Sequence, residues 1–289
     1  MNNHLKAITL LGIIISAVFI LSVSTILWNY LGMRVCHLFA FGLEKYESRI
    51  IEVTSRDNDI LLIRNVVYHK DGINASYPEI ISGGSDEMRK QWNQIIREDF
   101  DKIIQIYSFQ PFPEPIPPST SVEPTLLTVS YVIKGNTEAW LSLFYLADFN
   151  SSYSAHPSNL IYTTNFDTKQ SRRIRLSDIV ELNEAFVKEF RTWKLTDSLE
   201  DKNEIQEAIY DYINHISDEE LLAGFRAADQ IGSGNVWGIY SYLTNDSIGI
   251  SIEVPNYAGD HAEFEQPLSR LEQYLKPEFS RPTKSDSKK

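Results

Sequence analysis

Cysteine is almost absent from this chain. Of 289 residues only Cys36 is a cysteine, so no disulfide can close within the chain and no multi-thiolate metal site can form. That excludes the disulfide-stapled secreted class, though not an extracytoplasmic location. Short catalytic signatures are missing as well. There is no Gly-x-Ser-x-Gly elbow and no His-x-x-x-His pair, and no lysine follows the glycine-rich stretch Ile231–Asn235 to hold a phosphate. Basic residues are also in deficit. The formal net charge is −12, with 27 Lys and Arg against 39 Asp and Glu. Every acid follows Arg34, and only Lys6 and Arg34 among the bases lie up to that point, so the remainder carries 39 acids against 25 bases, a net −14. Such a surface repels nucleic-acid phosphates and attracts basic partners. No nucleic acid is therefore an expected partner. Adjacent carboxylates such as Glu219 and Glu220 read as a solvated helix face rather than a glycosidase pair.

A long apolar run is what the sequence does have. No charged residue lies between Ala7 and Trp28, and a membrane-spanning helix needs about 20 apolar residues. Trp28 and Tyr30 then fall where an aromatic belt would. A cleaved signal peptide is the rival reading, but its apolar core would be shorter, about 7–15 residues, with a small-residue cleavage site behind it. Lys6 favours a cytoplasmic amino terminus, whereas Arg34, Lys45 and Arg49 pull the other way. The expected organisation is a tail over 1–6, a transmembrane helix over 7–30, a connector over 31–49, two subdomains over 50–134 and 135–277, and a polar tail over 278–289. Cys36 reads as a membrane-edge residue, because no small residues precede it as lipidation would require.

Over the whole chain, 43% hydrophobic and 23% charged residues are ordinary for a globular protein. β-branched stretches predict strands at Ile50–Val53, Ile60–Tyr68, Leu126–Lys134, Ala139–Asp148 and Leu160–Phe166, with Gly135-Asn136 as a turn. A hairpin is predicted across Asn245-Asp246, from Val236–Leu243 to Ile248–Val254. Its second strand alternates Ile248, Ile250, Ile252 and Val254 with Gly249, Ser251 and Glu253, so one face should be buried. Ser85 is a helix N-cap ahead of Asp86 and Glu87. Met88, Trp92, Ile95, Ile96, Phe100, Ile103, Ile104 and Tyr107 then recur at helical spacing. Further helices are expected over Asp178–Trp193, Asn203–Ile213, Asp218–Phe225 and Leu268–Leu275. Six prolines between Pro111 and Pro124 exclude helix and central strand there. Strands and helices without regular alternation indicate an α+β fold with mainly antiparallel sheets packed by helices.

Three stretches carry a resemblance to known bacterial envelope domains. Tyr77-Pro78-Glu79-Ile80, running into the helix with Trp92-Asn93-Gln94-Ile95-Ile96, is similar to the domain ahead of the catalytic domain in peptidoglycan deacetylases of the PdaC type. Two further stretches resemble the outer domain of anti-sigma-V factors of the RsiV type. One comprises Ser154-Ala155-His156-Pro157-Ser158-Asn159, Thr164-Asn165-Phe166-Asp167 and Arg175-Leu176-Ser177-Asp178-Ile179. The other runs from Tyr242-Leu243-Thr244-Asn245-Asp246 to Asn256-Tyr257-Ala258-Gly259-Asp260. The resemblance covers roughly residues 50–277. It implies a membrane-anchored α+β domain outside the cell, and in the anti-sigma relatives that domain binds lysozyme. Two departures limit what carries over. Only six residues precede Ala7, too few to fold and grip a sigma factor, so sigma-factor binding is not expected. No catalytic domain follows, so deacetylase activity is not expected. Tyr153-Ser154 also stands where the relatives have two glycines, which alters the backbone of that turn.

The expected function is therefore extracytoplasmic binding or sensing of a cell-wall ligand, a lysozyme-like protein or a peptidoglycan fragment, without cofactor or catalytic residue. Ligand contacts are expected at Tyr153, His156, Asn159, Asn165 and Asp167, with Trp140 and Tyr162 as further aromatic platforms. The competing structural reading has His156 bonded to a backbone carbonyl, and Asn165 and Asp167 capping a turn. The alternative function is an envelope hydrolase acting on peptidoglycan, using His156 or His261 with a carboxylate such as Asp148 or Asp260.

Overall fold

The computed structural model describes residues 61–70, 72–108, 126–150, 156–196, 203–232 and 234–279. The expected transmembrane helix, connector, Ile50–Val53 strand, proline-rich segment and Tyr153 lie outside them. Among the described residues, no helix is long and apolar enough to cross a membrane.

The fold is α+β, and the described residues form two sheets. The first has six strands in the order β1-β2-β3-β4-β5-β6. β1 (Leu62–Lys70) and β2 (Ile73–Ser82) form an antiparallel hairpin. β2 pairs in parallel with β3 (Leu127–Asn136) at Ile73–Ala75, and α1 (Asp86–Ser108) lies between them in the chain. β3, β4 (Trp140–Phe149), β5 (Ser158–Asp167) and the two-residue β6 (Arg172–Arg173) continue antiparallel. The Ser85 hydroxyl accepts from the Met88 amide at 3.2 Å, the expected cap. Trp92, Ile96, Phe100, Ile103, Ile104 and Tyr107 are buried where α1 lies on the sheet. The boundary expected at 134/135 falls inside β3, and both sides of it belong to this one sheet. Gly135 and Asn136 are strand residues at a register shift, so the turn is Thr137–Ala139 instead. The Asn136 amide is occupied in holding both backbone groups of Leu61.

The second sheet has four antiparallel strands in the order β7-β10-β9-β8. These are β7 (Lys194–Leu195), β8 (Tyr240–Leu243), β9 (Ser247–Glu253) and β10 (His261–Pro267). The helix expected over 178–193 is broken into α2 (Leu176–Ile179) and α3 (Glu184–Phe190). Val180 is extended and bridges Leu275, and the Asn183 side chain caps α3 from the Phe186 amide at 3.0 Å. α4 (Asn203–His215) and α5 (Asp218–Arg226) follow. The Ser217–Glu220 capping box starts α5, which is what Glu220 does on that face. Instead of a helix over Leu268–Leu275 there is a 3-10 turn at Leu268–Arg270. Phe279, inside the expected polar tail, is only 9% exposed and packs on Trp140.

β9 is buried on both faces rather than one. Ile248, Ile250 and Ile252 join the core beneath the helices, with Phe186, Phe190 and Phe225. On the other side β8 and β9 meet β4 and β5 of the first sheet. The sheets are joined there by small and polar groups. The Ser142 hydroxyl donates to the Asn165 carbonyl at 2.7 Å and accepts from the Leu243 amide at 3.0 Å. The Asn165 NH2 group donates to the Ser241 carbonyl at 2.8 Å. Lys134 Nζ lies 4.4 Å from the ring centres of both Phe144 and Tyr242 and pairs with Glu263 at 2.9 Å. Gly249 has no side chain because the Tyr242 ring occupies that space, where a Cβ would come within 1.9 Å of it.

Asp229 ties three elements together. It follows α5 in the left-handed region, with φ of 65°. Its carboxylate accepts from the Ser241 amide at 2.5 Å, the Leu176 amide at 2.6 Å and the Ser241 hydroxyl at 2.8 Å. Although the residue is half-buried, its carboxyl is enclosed. That burial outweighs the hydrogen bonds and pushes it from 3.8 up to about 6.

Two outcomes are expected. Gly249→Ala should destabilise the chain by about 3 kcal/mol, the upper part of the overpacking range, measured as a lower urea midpoint at unchanged slope. Tyr242→Leu in the same background should recover part of that loss. For Asp229 the folded pKa exceeds the unfolded one, so protonation favours the fold. That increment is complete below pH 3.8 and is lost as pH rises through about 6, on the order of 2 to 3 kcal/mol. The stability difference between the natural chain and Asp229→Asn, followed by urea unfolding, should change by that much across the interval. Parallel curves would contradict the assignment.

Candidate functional site

Among the described residues, His156, Asn159, Asn165 and Asp167 do not converge on one site. His156 is exposed, and its Nδ1 lies 3.0 Å from the Pro157 carbonyl oxygen. Asn165 is only 3% exposed, and its amide is committed to Ser142 and Ser241 between the sheets. Asp167 caps the turn after β5, accepting from the Lys169 and Gln170 amides at 2.7 and 2.8 Å. Asn159 and Asp167 sit near opposite ends of β5, roughly 26 Å apart at about 3.3 Å per residue. Trp140 donates its indole N–H to the Thr244 carbonyl at 3.0 Å and packs on Phe279, so it too joins the two sheets. His156, His261, Asp148 and Asp260 do not assemble a metal site, since among the described residues no three His, Cys, Asp or Glu are placed to hold an ion.

Of the expected positions, Asn159 leads to a concave site. Its backbone amide donates to Asp260 Oδ2 at 2.9 Å, and Asn256 Nδ2 donates to Asp260 Oδ1 at 3.0 Å. Both oxygens of this buried carboxylate are thus occupied by neutral donors. Asp260 itself is left-handed, with φ of 69°, after a 3-10 turn at Asn256–Ala258 and left-handed Gly259. The turn therefore fastens the start of β5 to the end of β9, and a cleft of about 270 Å³ opens beside it. Ile106, Leu160 and Ile161 give the cleft aliphatic lining, and Tyr162, Tyr240 and Glu253 line it as well. The Tyr162 and Tyr240 rings meet edge to face, 5.3 Å between centres. Tyr162 shares a hydroxyl–hydroxyl hydrogen bond of 3.1 Å with Tyr107, and Tyr240 donates to the Gln230 carbonyl at 3.2 Å. Burial pushes the phenols of Tyr107, Tyr162 and Tyr240 upward, so all three stay neutral at physiological pH. The Asn235 amide fixes the far rim by bonding both backbone groups of Ile239 at 2.8 and 2.9 Å.

Glu253 is the exception in this site. Its side chain is open to water on one side and covered by the cleft on the other. That partial desolvation, followed by the nearby Asp260 charge, holds its carboxyl above the usual carboxylate range. A second cleft of about 240 Å³ lies on its other flank, lined by Tyr212, Val236, Trp237, Val254 and Pro255. Val236 and Tyr257 are 84% and 70% exposed. His261 also lines the first cleft, and its enclosed Nδ1 finds no hydrogen-bond partner among the described residues. Sequence reasoning did not single out Glu253, Tyr240 or Val236. The signal available was Asn256-Tyr257-Ala258-Gly259-Asp260, a turn sequence directly after a β-strand.

No family model and no curated protein matches the chain. Among solved structures, it is similar to a DUF3298 family protein from Pseudomonas aeruginosa PAO1, at 13% identity and a TM-score of 0.42, over 76% of this chain and 94% of that one. It is similar also to a DUF3298 family member from Bacteroides fragilis, at 12% identity and a TM-score of 0.43, over 76% of this chain and 96% of that one.

Proposed function

We propose that this chain is a membrane-anchored, extracytoplasmic binding or sensing domain for a cell-wall ligand, a lysozyme-like basic protein or a peptidoglycan fragment, and that it is not a catalyst. The apolar run over 7–30 supplies the anchor in this reading. The RsiV-type and PdaC-type resemblance supports the wall as the place of action. The observation that carries the reading is the cleft at Glu253, which combines a solvent-reachable carboxylate with tyrosines and an aliphatic wall. Aromatic and apolar walls with a few oriented polar groups are what small ligands and anchoring side chains need. A chain of net charge −12 also draws a basic partner towards it. The ligand surface is thereby centred on Glu253, Tyr162 and Tyr240, with Asn159 at its edge. A hydrolase would want its histidine within about 2.6–3.2 Å of a proton-accepting partner that tunes it. No carboxylate pairs with His156 among the described residues, and the carboxylate beside His261 is Glu263 at 3.9 Å, itself paired with Lys134.

Immobilised lysozyme and insoluble peptidoglycan, each incubated with the detergent-solubilised full chain, test this. At least one should retain the chain at low salt and release it as salt approaches 1 M, where screening shortens to about 3 Å. Failure of both to retain it at any salt would overturn the proposal.

A further inference from the structure

Glu253 differs from the acids that form the ion pairs of the fold and, unlike the other unpaired acids, lines two clefts. Glu79 pairs with Arg64, Asp99 with Arg173, Asp218 with Arg191 and Glu263 with Lys134. The Glu253 carboxylate takes no hydrogen bond and no ion pair among the described residues. It nevertheless faces two clefts, and among the described residues neither is lined by a lysine or an arginine. Asp260 adds a second negative charge that its two neutral donors do not cancel. A concave, weakly polar site with uncompensated charge attracts a counter-ion more strongly than open surface does.

The walls say what kind of cation fits. A bare metal ion needs several oxygen or nitrogen ligands converging on it, and among the described residues no three His, Cys, Asp or Glu are placed to supply them. Ile106, Leu160 and Ile161 offer apolar surface that a hydrated ion would gain nothing by covering. An ammonium group on an aliphatic stem uses both features. The stem lies along the apolar wall, and the head reaches the carboxylate and the tyrosines. The cleft of about 270 Å³ is within the scale of such a side chain.

From these observations we infer that the cleft at Glu253 is a subsite for a protonated primary amine on an aliphatic stem. Lysine side chains of a basic protein and the amino group of a wall stem peptide share this chemistry. The inference rests on the wall-ligand reading above and names the group that the ligand presents.

Calorimetry of the full chain in detergent with Nα-acetyl-lysine methylamide tests it. A Kd on the order of 1 mM is expected for a ligand of this size. The Nε-acetylated analogue, which has the stem without the charge, should bind at least tenfold more weakly. Glu253→Gln should lose tenfold or more, Glu253→Asp should retain part of the binding, and Glu219→Gln on the exposed face of α5 should change nothing. Equal binding by the natural chain and Glu253→Gln, or equal binding of the charged and acetylated probes, would overturn the inference. Retention on lysozyme and on lysine-containing muropeptides then separates the two sources, since Glu253→Gln should abolish one of them. If either ligand retains the chain and Glu253→Gln leaves that retention intact, the subsite is wrong while the wall-binding reading stands. If neither retains the chain while the lysine probe still binds through Glu253, the subsite stands and the wall-binding reading fails.

Discussion

The contact between Asn165, Ser142 and Ser241 is the constraint on which the rest of the structure depends. Two sheets approach face to face at β4, β5 and β8, and the residues at their closest approach are polar. Burying an amide and hydroxyls there is tolerable only because each finds a partner: Ser142 bonds Asn165 and the Leu243 amide, and Asn165 bonds the Ser241 carbonyl. These bonds fix lateral position in a way that apolar contact alone would not, because sliding either sheet would leave several buried groups unpaired at once. The ring of Tyr242 fills the space Gly249 leaves, and Lys134 closes the same region over two aromatic rings and Glu263.

With the sheets held in this register, the site follows. Ser241 also donates twice to Asp229, which fastens the end of α5 and the start of α2 to β8. Asp260 does the corresponding work at the other end, joining the turn after β9 to the Asn159 amide of β5. Glu253 lines the cleft beside Asp260, and its own carboxylate holds nothing among the described residues. The contrast between two acids that hold backbone or side-chain donors and one left open gives the cleft its function in this account.

Much of the architecture was legible in the sequence because it is repeated locally. The apolar face of α1 recurs over five turns, and Ser85 announces its start. The strands β3, β4, β5 and β9 stand out by their β-branched and aromatic content. Elements whose identity depends on distant partners were not legible. β10 mixes Ala262 and Phe264 with Glu263, Glu265 and Gln266, a weak alternation that becomes a strand only between β9 and β7. The break between α2 and α3 needs Leu275, almost a hundred residues on, to capture Val180. At the site the same limit applies. Asn165 and Asp167 carry side chains suited equally to ligands and to turns, and only the position of Ser241 shows that Asn165 faces inward. Glu253 falls on the polar side of its strand pattern, where an acid is unremarkable. The cleft that gives it meaning is assembled from residues near 106, 160, 240 and 260.

Hydrogen–deuterium exchange of the full chain, with and without saturating lysozyme or muropeptide, tests the central claim most directly. The account predicts added protection at 159–162, 238–241 and 253–261, the segments that enclose Glu253. Protection confined to the outer face of α1 or to α3–α5, with those three segments unchanged, would contradict it.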